Sequence, residues 1–425
     1  MSPLEAAALF RPDDTLVVGV AGAQPPALLH ALGERDDWQD FTVFASLLIE
    51  PFAVFTRKGV RLRTGFQGGV ERALRAAGHA VDFIPSDFRR FGPVARSLKP
   101  RIVATSAAAG LRPGEVSLAI HAGGLVSEFK NAAADPDRLL IVEVNAQLPS
   151  THGLPPDHTH SIALDEIDVL IEVDRPPFTI ATPEPSEVER RIADFALGYV
   201  ETGATLQTGI GGVPDQVVSQ LASSNRGPFG IHTEMFTTGL MQLHEAGKVD
   251  DSAGLYGPFS VATFSAGTPE LYSWLDDNPL VRFLPVELTN TPNVIAQHSK
   301  MISINGALTV DLGGQIAADT IGSRQFSGVG GHEDFTAGAS MSEHGHSLIC
   351  LPSTANVEGK SISRIATSFP AGTTVTSPRH QVDVIITEWG AAELAGKTVS
   401  ERADALIEIA HPDHRDELRV NNPFE

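Results

Sequence analysis

The chain has 425 residues with 31 Lys+Arg against 52 Asp+Glu, and its formal charge of −21 argues against a general binder of phosphate backbones. Its 42% hydrophobic and 20% charged residues are those of a globular protein, and the length suits two or three domains of about 150 residues each. No run approaches the ~18 apolar residues of a membrane span, no basic leader stands at Met1, and the one cysteine, Cys350, allows neither an intrachain disulfide nor a cysteine zinc cluster. A cytoplasmic protein without nucleic-acid or membrane partners is expected. Net charge averages over the surface, so a local basic pocket for one anionic metabolite stays open.

Along the first part, TLVVGV (Thr15 to Val20), FTVFASLL (Phe41 to Leu48), RIVATS (Arg101 to Ser106), LLIVEVN (Leu139 to Asn145) and IDVLIEV (Ile167 to Val173) predict buried strands. Helical patterns such as PPALLHALGER and GGVERALRAAGHA lie between them, so a mainly parallel sheet flanked by helices is expected. DRPPFTIATPEP (Asp174 to Pro185) then sets four prolines in twelve residues and can continue neither helix nor central strand. Ser186 and Glu189 next form a capping box, ahead of a stripe of Val188, Ile192, Phe195 and Tyr199. The domain boundary is placed here, giving α/β domains over 1–180 and 186–425.

The second part resumes with TLQTGI (Thr205 to Ile210), a helix from Pro214, IHTEMF, SVATFSA (Ser260 to Ala266), SLICL (Ser347 to Leu351), DVIIT (Asp383 to Thr387) and a closing helix in ERADALIEIAHP. The paired histidines of DHTH (His158, His160) and EHGH (His344, His346) lack third and fourth ligands nearby. Solvated loop histidines are therefore preferred to a metal site, and Cys350 in its apolar run reads as core.

Two glycine clusters stand out. In LQTGIGGVPDQ, Gly209, Gly211 and Gly212 end a strand and Pro214 opens a helix; SGVGGHEDF holds Gly328, Gly330 and Gly331. Such segments bring backbone N–H groups close to a ligand oxygen at the usual binding edge of an α/β sheet, or they are simply tight turns. Between them lies GIHTEMFTTG, whose Glu234 is either a solvated charge or a carboxylate in the crevice the loops frame.

These residues carry a resemblance. LQTGIGGVPDQVVSQLASSNRGPFGIHTEMFTTGLMQLHEAGKVD, then VELTNTPNVIAQHSKMISINGALTVDLGGQIAADTIGSRQFSGVGGHEDF, LPSTANVEGKSISRI and DVIITEWGAAELAGK resemble the acetyl-CoA hydrolase/transferase family, a branch of class I coenzyme A transferases. The resemblance covers nearly all of the second domain. It implies two open α/β domains and a ping-pong transfer of coenzyme A between carboxylic acids, through acyl-glutamyl anhydride and glutamyl-CoA thioester intermediates. The nucleophile of the family's H-[ST]-E motif falls on Glu234, and Glu287 in VELTNTP is at most supportive. Backbone amides at Ile210 and Gly328 are implied as oxyanion donors. Gln207, Gly209, Gly211, Asn290, Val329, Gly330 and Gly331 are implied around the substrate, with Gly322, Ser323 and Arg324 near the coenzyme A arm.

The resemblance further implies an acyl-CoA thioester and a small carboxylic acid as substrates, no separate cofactor, no metal, and a homodimer. A Glu of ordinary pKa, about 4.3, is ionised at neutral pH and needs no general base. Hydrolysis of acyl-CoA by the same Glu is the alternative outcome, and a CoA-ester-binding protein without turnover is a third. The first domain departs from the family's pattern in SAAAGLRPGEVSLAIHAGG and VSEFKNAAADPD, which leaves the identity of the acid open.

Overall fold

Seven parallel strands make the frame of the first unit, in the order Val81–Phe83, Val60–Thr64, Phe41–Phe44, Thr15–Val18, Ile102–Ala109, Leu139–Asn145 and Val169–Val173. This computed structural model describes residues 1–181, 184–252 and 254–424. Thr182 and Pro183, in the proline-rich stretch, lie outside those residues. The central strands are covered on both faces, so Leu16, Val17, Val18, Ile102, Val103, Leu140, Ile141 and Val142 are all buried and read as continuous apolar runs. VRLRT and VDF do not read that way. They alternate, with Arg61 and Asp82 paired at 2.9 Å on an exposed face, and so escape a search for apolar runs.

The chain divides into two compact units, residues 1–180 with 261–289, and residues 181–260 with 290–425. The segment Val261–Thr289, assigned from sequence to the second domain, therefore folds with the first. Its hydrogen bonds explain this: Ala122 N donates to Thr263 O (2.9 Å), Ser265 N to Ile120 O (2.7 Å), Phe283 N to His152 O (2.9 Å) and Val286 N to Gly123 O (3.1 Å).

In the second unit the sheet order is Gly230–Ile231, Thr205–Thr208, Met301–Gly306, His346–Cys350, Val384–Thr387 and Gly390–Glu393; the first five strands are parallel and the last is antiparallel. From Thr205–Thr208 the chain steps to Gly230–Ile231 on one side and then to Met301–Gly306 on the other. The order reverses between the strands Thr205–Thr208 and Met301–Gly306, and the crevice beyond their carboxyl ends is where open α/β sheets bind ligands.

The helix Glu187–Ala196 begins where the capping box places it: Ser186 Oγ accepts from Glu189 N (3.3 Å), and Glu189 Oε2 accepts from Ser186 N (2.7 Å). Its buried face is Ile192, Ala193 and Ala196, whereas Phe195, about 100° round from Ala196, is 41% exposed. The stripe of Val188, Ile192, Phe195 and Tyr199 is thus corrected.

Candidate active site

Glu234 stands on a short irregular stretch between the two-residue edge strand Gly230–Ile231 and the helix Thr238–Glu245. IHTEMF is therefore not one strand but two fragments, Gly230–Ile231 and Met235–Phe236, separated by the residues that matter. His232 N continues the pairing by donating to Leu206 O (3.1 Å). Thr233 Oγ1 lies 3.3 Å from Thr208 O and 3.1 Å from Met235 O, tying the stretch to the end of the strand Thr205–Thr208. His232, Thr233 and Thr237 are buried, while Glu234 is only partly so. The stretch is fixed to the sheet and presents one carboxylate at its carboxyl edge.

Two residues meet that carboxylate. Asn290, fully buried and 56 positions along the chain, donates Nδ2–H to Glu234 Oε2 at 2.5 Å. Its other amide atom, Oδ1, is buried with no hydrogen-bond partner among the described residues. Gly331 is the second. A Cβ built there would overlap Glu234 Oε2 and Asn290 Nδ2, so the backbone of Gly331 sits where a side chain cannot. Gly331 also caps the helix His332–Met341, and the segment before it is pinned by Phe326 N and Ser327 N, both donating to Asp319 O (2.9 and 3.0 Å). Gly328 on this segment is buried, Val329 and Gly330 are partly exposed, and Gly330 takes a left-handed φ of 58°.

The first glycine cluster forms the turn between the strand Thr205–Thr208 and the helix Gly212–Ser223, which starts two residues before Pro214. Gly211 has φ 122°, a conformation that side chains disfavour. Cβ atoms at Gly209 or Gly211 would meet nothing within 4 Å, and Ile210 between them is 50% exposed. Open space thus borders the turn. Beneath it, Gln207 exchanges amide hydrogen bonds with Asn305 (3.4 and 3.3 Å) across the point where the strand order reverses.

Sequence reading missed Asn305, because MISING is too polar to register as a buried strand. It also missed the supports of the second glycine segment. Asp319 holds Gln325 Nε2 (3.0 Å) and Thr376 Oγ1 (2.6 Å), and His332 pairs with Ser377 Oγ (3.0 Å). Only a polar residue at a predicted strand tip could have signalled Asn305.

Burial pushes the Glu234 carboxyl up to about 7, against the smaller lowering effect of the Asn290 hydrogen bond. The expectation of an ordinary, fully ionised Glu is corrected accordingly. The surrounding protein, with the Gly331 backbone close against Oε2, takes water from the head group even though the residue keeps some exposed surface.

Glu287 lies in the helix Val286–Thr289 of the first unit, 3.4 Å from a Cβ built at Gly92. Gly322, half-buried, and Arg324, exposed, lie on the hairpin formed by Thr320–Ile321 and Arg324–Gln325. His160 is not a solvated loop residue: it is buried, stacks on Phe283 and pairs with Ala119 O through Nε2 (2.8 Å). Among the described residues no three His, Cys, Asp or Glu side chains converge as metal ligands. Cys350 is buried, its thiol pushed up to about 12. No helix is long and apolar enough to cross a membrane among the described residues.

The acetyl-CoA hydrolase/transferase C-terminal domain pattern matches residues 267–421. Over 422 residues the chain is 33% identical to succinyl-CoA:cyclohexane-1-carboxylate CoA transferase of Geobacter metallireducens, covering 98% of this chain and 93% of that one. The chain belongs to the acetyl-CoA hydrolase/transferase family. Within the family it is 40% identical over 296 residues to 4-hydroxybutyrate coenzyme A transferase of Clostridium kluyveri, covering 69% of this chain and 67% of that one. The crystal structure of RipA from Yersinia pestis superposes with a TM-score of 0.90 at 31% identity, covering 99% of this chain and 96% of that one.

Proposed function

We propose that this chain moves coenzyme A from an acyl-CoA to a small carboxylic acid, with Glu234 as the nucleophile. The observation that carries this reading is the triple contact of Glu234, the buried Asn290 amide and the Gly331 backbone. A Glu234 oxygen attacks the acyl carbonyl, the C–S bond breaks, and an acyl-glutamyl anhydride forms beside coenzyme A thiolate. The thiolate attacks the glutamyl carbonyl, releasing the first acid and leaving a glutamyl-CoA thioester. An incoming carboxylate attacks that thioester and runs the two steps in reverse, so that its own carbonyl ends on coenzyme A.

Each step passes through a tetrahedral oxyanion, and one preorganised donor is worth about 3–4 kcal/mol of barrier. Backbone amides at Ile210 and Gly328 are proposed for that task. Gln207, Gly209, Gly211, Val329 and Gly330 are proposed around the thioester, with Asn290 orienting the nucleophile. Transfer is preferred to hydrolysis because the full-length relative is named a transferase. A cytoplasmic homodimer is part of the same proposal.

The test is chemical trapping. With acetyl-CoA as donor, borohydride should reduce the enzyme thioester at Glu234. In its absence a new acyl-CoA should form only when an acid such as propionate or butyrate is added, with no free coenzyme A released. Acceptor-independent release at full rate would make the protein a hydrolase, and absence of any Glu234 adduct would remove the nucleophile from the scheme.

The raised Glu234 carboxyl gives a pH prediction with a definite sign. The attacking form is the anion, so kcat/KM for acyl-CoA rises with pH through about 7 and levels above it. Asn290 lowers the carboxyl's pKa, so Asn290→Ala moves the inflection upward. A profile flat from pH 5 to 9 in the parent would contradict both statements.

A further inference from the structure

We propose that Asp251, Ser260 and His244 form a positioning network that holds both flanks of the Glu234 stretch; this inference rests on Glu234 being the nucleophile. The strand leading into the stretch, Gly230–Ile231, is the outermost of its sheet among the described residues; on its far side the pairing stops at the bridge between Phe229 and Val249. Two residues on, Ile231 N donates to Asp251 Oδ1 at 2.6 Å, so a carboxylate takes the bond that the bridge does not carry further. Asp251 is 3% exposed and adopts a left-handed φ of 50°, which Asp tolerates better than most residues.

The other oxygen looks the opposite way along the chain. Ser260 Oγ donates to Asp251 Oδ2 at 2.7 Å, and His244 Nε2 lies 2.8 Å from the same hydroxyl. His244 belongs to the last turn of Thr238–Glu245, the helix that leaves the Glu234 stretch. One run of hydrogen bonds therefore joins the strand before Glu234 to the helix after it: Ile231 N–H to Asp251, Ser260 O–H to Asp251, and His244 Nε2–H to Ser260. Every donor faces an acceptor when Asp251 is ionised and His244 neutral, and burial holds His244 neutral at physiological pH.

The trio does not form a hydrolytic triad. Its serine is fully buried, and its hydroxyl proton points at the carboxylate and not at the imidazole. The network reaches no reacting atom; it sets where the Glu234 carboxylate stands against Asn290 and Gly331. Displacing a reacting group by ~1 Å costs up to about a hundredfold in rate.

The experiment compares Ser260→Ala, His244→Ala and His244→Gln with the parent in single-turnover formation of the Glu234–CoA thioester, alongside thermal unfolding and steady-state kinetics. The expected result is a fall of about ten- to a hundredfold in the thioester-forming rate and in kcat for both alanine variants, with KM for acetyl-CoA within about twofold. His244→Gln, whose amide N–H can reach Ser260, should recover most of that loss. Unchanged rates in folded variants overturn the network, as does a rise in KM alone or a glutamine variant no better than alanine. Should Ser260→Ala fail to fold, the alanine and glutamine pair at His244 decides. Glu234→Ala is assayed in parallel. Turnover by that variant defeats the nucleophile assignment itself, whereas its inactivity beside fully active network variants defeats only this inference.

Discussion

Glu234→Gln is expected to abolish coenzyme A transfer, with a loss of at least about a thousandfold in kcat, because an amide oxygen cannot take up the acyl group. The substitution keeps shape and leaves an oxygen for the Asn290 amide to meet, so the fold should survive. Glu234→Asp is the informative companion. Removing one methylene withdraws the carboxylate by ~1.5 Å from Asn290 and the Gly331 backbone, and a loss of about a hundredfold is expected even though the nucleophile's chemistry is intact. Glu234→Gln should also make the protein more heat-stable above neutral pH. A carboxyl raised to about 7 in the folded chain, from 4.5 when unfolded, keeps its proton where the unfolded chain has lost it. The parent therefore loses stability as pH rises from 4.5 to 7, and the glutamine variant does not. Melting curves at pH 4 and pH 8 read this directly: the gain should be present at pH 8 and vanish at pH 4. Retained transfer by Glu234→Gln would dismiss the mechanism whatever the melting curves show.

Gly331→Ala is the second large effect. Gly331 has φ −96°, so its backbone accepts alanine; the conflict is with neighbours, since the added Cβ would overlap Glu234 Oε2 and Asn290 Nδ2. Both belong to the proposed site, so the methyl group must push the nucleophile out of place or displace the helix that Gly331 caps. Overpacking of this kind costs about 1–3 kcal/mol of stability, while displacing the carboxylate should cost about a hundredfold or more in kcat. Gly330→Ala is the control of different origin, since there φ 58° opposes the substitution through the backbone itself. A Gly331→Ala enzyme with parental kcat would mean that the carboxylate does not work from the position described.

The sequence made some of this legible and hid the rest for identifiable reasons. Strands such as Thr15–Val18 and Leu139–Asn145 are doubly covered, so their burial is written as unbroken apolar runs. Val60–Thr64 and Met301–Gly306 carry arginines on an outer face, or serine and asparagine at a sheet's ligand-binding edge, and a search for apolar runs passes over them. The Ser186–Glu189 box marked its helix start to the residue, because capping is local. Membership of Val261–Thr289 in the first unit was not legible, since it depends on hydrogen bonds to His152 and Gly123, far back in the chain. Glu234 and the glycine clusters could be named from motif order. That Asn290 and Gly331 both touch Glu234, and that burial at this point raises its carboxyl, follows only from three distant stretches meeting there.

The excursion of Val261–Thr289 bears on how such a protein can be cut. The backbone passes between the two units at 180, at 260 and again at 289, so neither unit is a single stretch of gene. A fragment begun at Ser186 would carry Val281, Phe283 and Leu284, all buried in the whole protein, on a tongue severed from the backbone atoms of His152 and Gly123 that hold it. Clean separation needs that tongue excised and the chain rejoined from 260 to 290, and a lineage could not trade either half by simple end-to-end fusion.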